Sequence, residues 1–81
     1  MTKQQFIDWA KSKGWKEDKF GHLQKENNIG DHFRFKLSAI SVRYESQLTF
    51  YDNKHEWFRH GSGYYKDLSI TSDGKLSGMR R

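Results

Sequence analysis

Residues 32 to 50 read His32-Phe33-Arg34-Phe35-Lys36-Leu37-Ser38-Ala39-Ile40-Ser41-Val42-Arg43-Tyr44-Glu45-Ser46-Gln47-Leu48-Thr49-Phe50. Apolar and polar residues alternate almost without a break. This period of two marks strands with one buried and one solvated face. On the first arm Phe33, Phe35 and Leu37 share one side, and His32, Arg34 and Lys36 the other. Ser38-Ala39 makes a short turn. A second strand over residues 40–51 then sets Ile40, Val42, Tyr44, Leu48 and Phe50 on a common face. A strand usually runs to about five or six residues, so a bend near Ser46 is expected. In such a hairpin Arg43 lies across from the basic face of the first arm.

An apolar sheet face needs a cover, and the chain offers one amphipathic helix, over residues 2–13. Thr2 is suited to the N-cap, with Gln5 completing a capping box. Phe6, Ile7, Trp9 and Ala10 form the apolar stripe, while Lys3, Gln4, Asp8, Lys11 and Ser12 face water. Gly14 stands where a left-handed residue ends a helix, and Trp15 follows in position to pack back on Ala10.

From Trp15 onward the signals favour strands. Residues 15–17 and 20–25 pair across Asp18-Lys19, with Gly21 easing a bulge or bend. Asn27-Asn28-Ile29-Gly30 is turn chemistry, because Asn and Gly tolerate positive φ. Asp52-Asn53-Lys54 closes a hairpin into a strand over residues 55–60. Gly61-Ser62-Gly63 reads as a break and a mobile loop. Residues 64–71 carry Leu68 and Ile70 at strand spacing, although residues 64–67 also suit one helical turn. Ser72-Asp73-Gly74 marks a last hairpin returning over residues 75–79. The fold class is therefore α+β: a single domain, residues 1–81, with one N-terminal helix packed on a meandering antiparallel sheet of about five to six strands.

Composition bounds the function. A chain of 81 residues buries a limited core. It has no Cys to reinforce that core by disulfide or thiolate metal site, and its aromatic content of 16% compensates. No apolar run reaches the length of a signal-peptide core or a membrane span, so a cytoplasmic protein with no membrane association is expected. The net charge of +5 suits an anionic partner. The charge is spread: residues 1–40 hold 8 Lys/Arg against 5 Asp/Glu, and residues 41–81 hold 7 against 5.

The candidate nucleic-acid-binding residues are His32, Arg34, Lys36, Arg43 and Arg59. Cations on a twisted sheet face can track a phosphate backbone, and Tyr51, Trp57, Tyr64 or Tyr65 can stack on bases. The plain alternative is an ordinary solvated face, and Glu45 and Gln47 dilute its charge. A second candidate is an interaction patch of Trp57, Tyr64 and Tyr65 beside the Gly61–Gly63 segment. Its alternative is one tyrosine in the core and the other on the surface. The remaining candidate partner is protein, including a second copy of the chain, through an open edge of the long strand.

Catalytic and metal signatures are weak. His55-Glu56-Trp57-Phe58-Arg59-His60 spaces its histidines by five, whereas the zinc-protease helix needs four to bring both to one face. No cofactor or metal is expected. Nucleophile elbow, dinucleotide glycine fingerprint, P-loop and Cys nucleophile are all missing. Metal-free RNA cleavage needs one or two His with Lys or Arg, and His22, His32 and His60 with Arg34 or Lys36 supply those residue types.

The helix followed by Gly14-Trp15 and by Phe20-Gly21-His22-Leu23 resembles the opening of HicA-type toxins, small RNA-cleaving proteins, over about 25 residues. The resemblance implies a catalytic role for His22. The Ser and second His of that family's strand are absent here, and strand signals replace its closing helix. The leading expectation is a non-enzymatic nucleic-acid-binding module. A protein-interaction module is the alternative, followed by a metal-independent RNase-type toxin.

Overall fold

The computed structural model describes residues 1–48 and 57–81. Its elements run α1 (Lys3–Ser12), β1 (Lys16–Glu17), β2 (Leu23–Glu26), β3 (His32–Leu37), β4 (Ser41–Gln47), β5 (Phe58–Tyr64), a 3-10 turn (Tyr65–Asp67), β6 (Ser69–Ile70) and β7 (Leu76–Ser77). The first five strands form one antiparallel meander in chain order, and β6 and β7 form a separate hairpin. The α+β arrangement of one N-terminal helix and an antiparallel sheet is thus present.

Both ends of α1 follow from local chemistry. The Thr2 hydroxyl accepts from Gln5 N–H at 3.1 Å, and the Gln5 side chain accepts from Thr2 N–H at 2.8 Å. At the other end Gly14 adopts φ +94°. This lets Gly14 N–H reach the Lys11 carbonyl and Trp15 N–H reach the Ala10 carbonyl, the paired bonds of a Schellman stop.

The helix lays Phe6 and Ala10, both fully buried, on the sheet. There they meet Leu23, Phe35 and Val42, with Tyr65 and Leu68 closing the core. Phe35 gathers the aromatic rings: Phe6 stands edge-on at 4.9 Å, and Trp15 and Tyr44 lie at 4.3 and 5.2 Å. Two polar ties fix α1 against later parts of the chain. The Trp9 indole donates to the Gly74 carbonyl at 2.9 Å, and the Met1 ammonium donates to the Tyr65 and Leu68 carbonyls.

Several local expectations change. The β1–β2 loop spans residues 18–22 rather than Asp18-Lys19 alone. Asp18 organises it by accepting from the backbone N–H groups of Phe20 and His22 and from the Gln24 amide, all at 2.9 Å. Phe20 is consequently in the loop and exposed. The β3–β4 turn falls one residue later than expected, at Ala39-Ile40, because Ser38 N–H bonds to the Ser41 carbonyl at 2.8 Å. Ile40 therefore sits at the tip, 65% exposed, instead of in the core. The irregularity in β4 lies between Tyr44 and Glu45, where His60 on β5 is skipped in the register. The hairpin turn expected at Asp52-Asn53-Lys54, Phe50 at the end of the second arm, and His55 lie outside the described residues.

The largest correction concerns Gly61-Ser62-Gly63, which is not a break but the middle of β5, paired with Tyr44, Arg43 and Val42. Glycine gives room here because other segments cross the strand closely. A Cβ on Gly63 would stand 3.1 Å from Leu68, and one on Gly61 would stand 3.0 Å from the Arg80 carbonyl oxygen. The crossing is secured by a two-way backbone bridge between Ser62 and Arg80, at 2.7 and 2.8 Å. Over Ser41–Gln47, β4 is flanked by β3 and β5.

Two outcomes test this packing. Gly78 has φ +105°, and a Cβ there would stand 2.4 Å from the Asp67 carbonyl oxygen. Gly78→Ala should cost about 2 kcal/mol or more in urea denaturation, combining backbone strain with a backbone clash. The Asp18 carboxyl is pushed up by burial, but its hydrogen bonds from His22, Gln24 and Phe20 outweigh this and leave it below its ordinary value. A carboxylate depressed on folding stabilises fully above its unfolded pKa, and that contribution is lost as pH falls through the folded value. Asp18→Asn should therefore show a shallower loss of stability than wild type below about pH 4 in acid titration followed by circular dichroism.

Candidate nucleic-acid interface

Side chains opposite each other in antiparallel strands share a face, so the register assembles the surface turned away from α1. One rung runs Gln24–Arg34–Glu45–Arg59 across β2 to β5, and the next runs Lys36–Arg43–Ser62 across β3 to β5. Arg34, Lys36, Arg43 and Arg59 are thus brought to neighbouring positions on one face. Arg80 is joined to this array by its bridge to Ser62.

The cations are not equivalent. Arg34 is largely sequestered. Its Nε donates to Glu45 Oε1 at 2.8 Å, and its guanidinium lies 4.1 Å over the Trp57 ring. Glu45, only 6% exposed, is a buried carboxylate held by this pair, with Arg43 Nη1 at 3.8 Å as a looser second partner. One carboxylate therefore organises the face from beneath. Arg59 donates to the Ser62 hydroxyl at 2.8 Å. Lys36 is exposed and has no ion-pair partner among the described residues.

Beyond Arg34 the face opens into a cleft of about 330 Å³. Lys36, Arg43 and Arg59 line it together with Ser38, Ser41, Ser62 and Tyr64. Ser38 and Ser41 are fixed by mutual contact of their hydroxyls at 2.8 Å and by Ser41 N–H donating to Ser38 Oγ at 3.0 Å. The cleft offers cationic groups and hydroxyls in a half-open setting, the chemistry that holds a phosphate. Arg81 lies close by, lining a neighbouring hollow with Arg59 and His60.

The other expected residues fall elsewhere. His32 stands at the opposite end of β3 from Lys36, with Nδ1 3.4 Å from Glu26. Tyr65 does not belong to a surface patch: it is a core residue whose hydroxyl donates to the Ser38 carbonyl at 3.0 Å. Burial pushes its phenol up from its ordinary pKa, as it does that of Tyr44. Tyr64 is the exposed member of the pair, and Trp57 is half-buried beneath Arg34. Trp57, Tyr64 and Tyr65 therefore do not make one patch.

The described histidines are engaged separately. His22 Nδ1 accepts the Leu37 N–H at 3.0 Å, so a side chain just ahead of β2 takes up a β3 donor beyond the paired residues. His60 packs on the Tyr44 ring and contacts the Ser46 hydroxyl. No group of three or more His, Cys, Asp or Glu among the described residues is placed to hold a metal ion. No described helix is long and apolar enough to cross a membrane. Compared with known proteins, the chain matches no family model, no curated protein and no solved structure.

The sequence alone does not mark the serines. Ser38 and Ser41 read there only as turn and strand-face residues, and Ser62 was hidden in a Gly-Ser-Gly segment that reads as a break. Ser41 stands two residues before Arg43, at same-face strand spacing, whereas Ser62 carries no such signal because only the β4–β5 register sets it opposite Arg43.

The two kinds of cation should separate in stability measurements. Arg34→Ala strands the Glu45 carboxylate and should cost about 2 kcal/mol in urea denaturation. That is less than the ~3–5 kcal/mol for a fully buried pair, because Arg43 remains nearby. Lys36→Ala should leave stability within about 0.5 kcal/mol of wild type.

Proposed function

We propose that this chain is a small non-enzymatic binding module of the cytoplasm whose partner is nucleic acid, met through its basic sheet face. The observation that carries the reading is the cleft in which Lys36, Arg43 and Arg59 converge with Ser38, Ser41 and Ser62. Phosphates are held by Lys and Arg together with hydroxyl donors, and this cleft supplies both. The neighbouring Arg80 and Arg81 extend the positive field beyond it. Arg34 serves the face differently: it neutralises Glu45, so that this carboxylate does not repel an incoming phosphate.

Within this reading, binding is dominated by counterion release and is steeply salt dependent. Fluorescence anisotropy of a labelled oligonucleotide across a salt series tests it. Arg43→Gln and Arg59→Gln should each weaken binding, and each should reduce the slope of log K against log salt by about 1. Absence of binding at low salt, or variants with the wild-type slope, would refute the assignment.

A further inference from the structure

Tyr64 belongs to two concavities. It borders the cationic cleft on the sheet face, and it also lines an apolar groove of about 390 Å³ at the β3–β4 turn. The groove is lined by Ala39, Ile40, Tyr64 and Tyr65 together with Lys3 and Lys66. Ile40 and Tyr64 are 65% and 51% exposed, although each is large and apolar enough to be buried elsewhere in so small a domain. Their positions are fixed by backbone: Tyr65 N–H donates to the Ile40 carbonyl at 3.0 Å, and Ser41 pairs with Tyr64. The Lys66 ammonium lies 5.9 Å from the centre of the Tyr64 ring.

We infer that the groove at Ile40 and Tyr64 is the base subsite of the cationic cleft, and that the module selects single-stranded over duplex nucleic acid. The inference rests on the nucleic-acid reading and specifies its ligand. A nucleotide whose phosphate sits among Lys36, Arg43 and Arg59 has an apolar, aromatic surface within its own neighbourhood, across Tyr64. An unpaired base can swing out of its stack to occupy that surface, whereas a paired base must first be unpaired and unstacked at an energetic cost. Lys3 and Lys66 in the groove lining suit neighbouring phosphates, so the charge at the groove complements the strand as well as the base. An aromatic ring beside a basic groove is the arrangement by which single strands are held without sequence preference.

The test uses the full chain, a fluorescein-labelled oligothymidylate, a duplex of the same length, and a strand of the same phosphates carrying abasic sites. Wild type should bind the single strand at least several-fold more tightly than the duplex or the abasic strand. Tyr64→Ala should lose on the order of 10-fold affinity for the single strand, as expected for one lost base–aromatic stack. Because Tyr64 also borders the phosphate cleft, binding to the abasic strand should fall by a clearly smaller factor than binding to the intact strand, and Tyr64→Phe should retain wild-type affinity for both. A Tyr64→Ala protein that binds the single strand like wild type, or a duplex bound as tightly as the single strand, would overturn the base subsite while the phosphate cleft stands. If neither strand binds at low salt, both assignments fall together.

Discussion

Phe35 is where the sheet, the helix and the first hairpin are joined. Its ring receives Phe6 edge-on from α1, Trp15 from the chain leaving the helix, and Tyr44 from the next strand. In a domain this small each such ring buries a large fraction of the available apolar area. Because cross-strand neighbours are fixed by pairing, seating Phe35 inward also turns Arg34 and Lys36 outward. A one-residue slip would exchange the two sets. The same contact that builds the core therefore decides which residues make the basic face.

Beneath that face, Glu45 has an organising role that a count of charges misses. Its burial would be costly if it were alone, but Arg34 satisfies it at close range and is itself braced on Trp57. The pair immobilises the middle of the sheet face. The more loosely held cations, Lys36, Arg43 and Arg59, are left toward the end where the serine hydroxyls and Tyr64 are. Charge on this surface is thus divided between a structural part and a part available to a ligand.

Much of the fold was legible because its signals were local. The Thr2–Gln5 capping box and the Gly14-Trp15 stop fixed α1 at both ends, and the alternation through residues 32–47 gave the central hairpin and its faces. What was not legible depended on distant neighbours. Gly61 and Gly63 look like loop residues until Leu68 and the Arg80 backbone are seen crossing them. Ile40 looks like a core residue until the Ser38–Ser41 bond moves the turn by one position. Of the candidate site, Arg34, Lys36 and Arg43 could be placed on one face by counting, whereas the place of Arg59 depends on the shifted register between β4 and β5. Their different partners, the serines between them and the burial of Tyr65 could not, because each depends on packing between segments far apart in sequence.

The bridge between Ser62 and Arg80 carries a consequence for assembly. A neighbouring chain seeking to extend the sheet from the outer side of β5 would first have to evict the arginine-bearing segment from that rung. Eviction would carry Arg80 away from Ser62 and free the adjoining Arg81 from its place beside Arg59. Lateral growth of the sheet on that side is therefore coupled to the placement of both arginines.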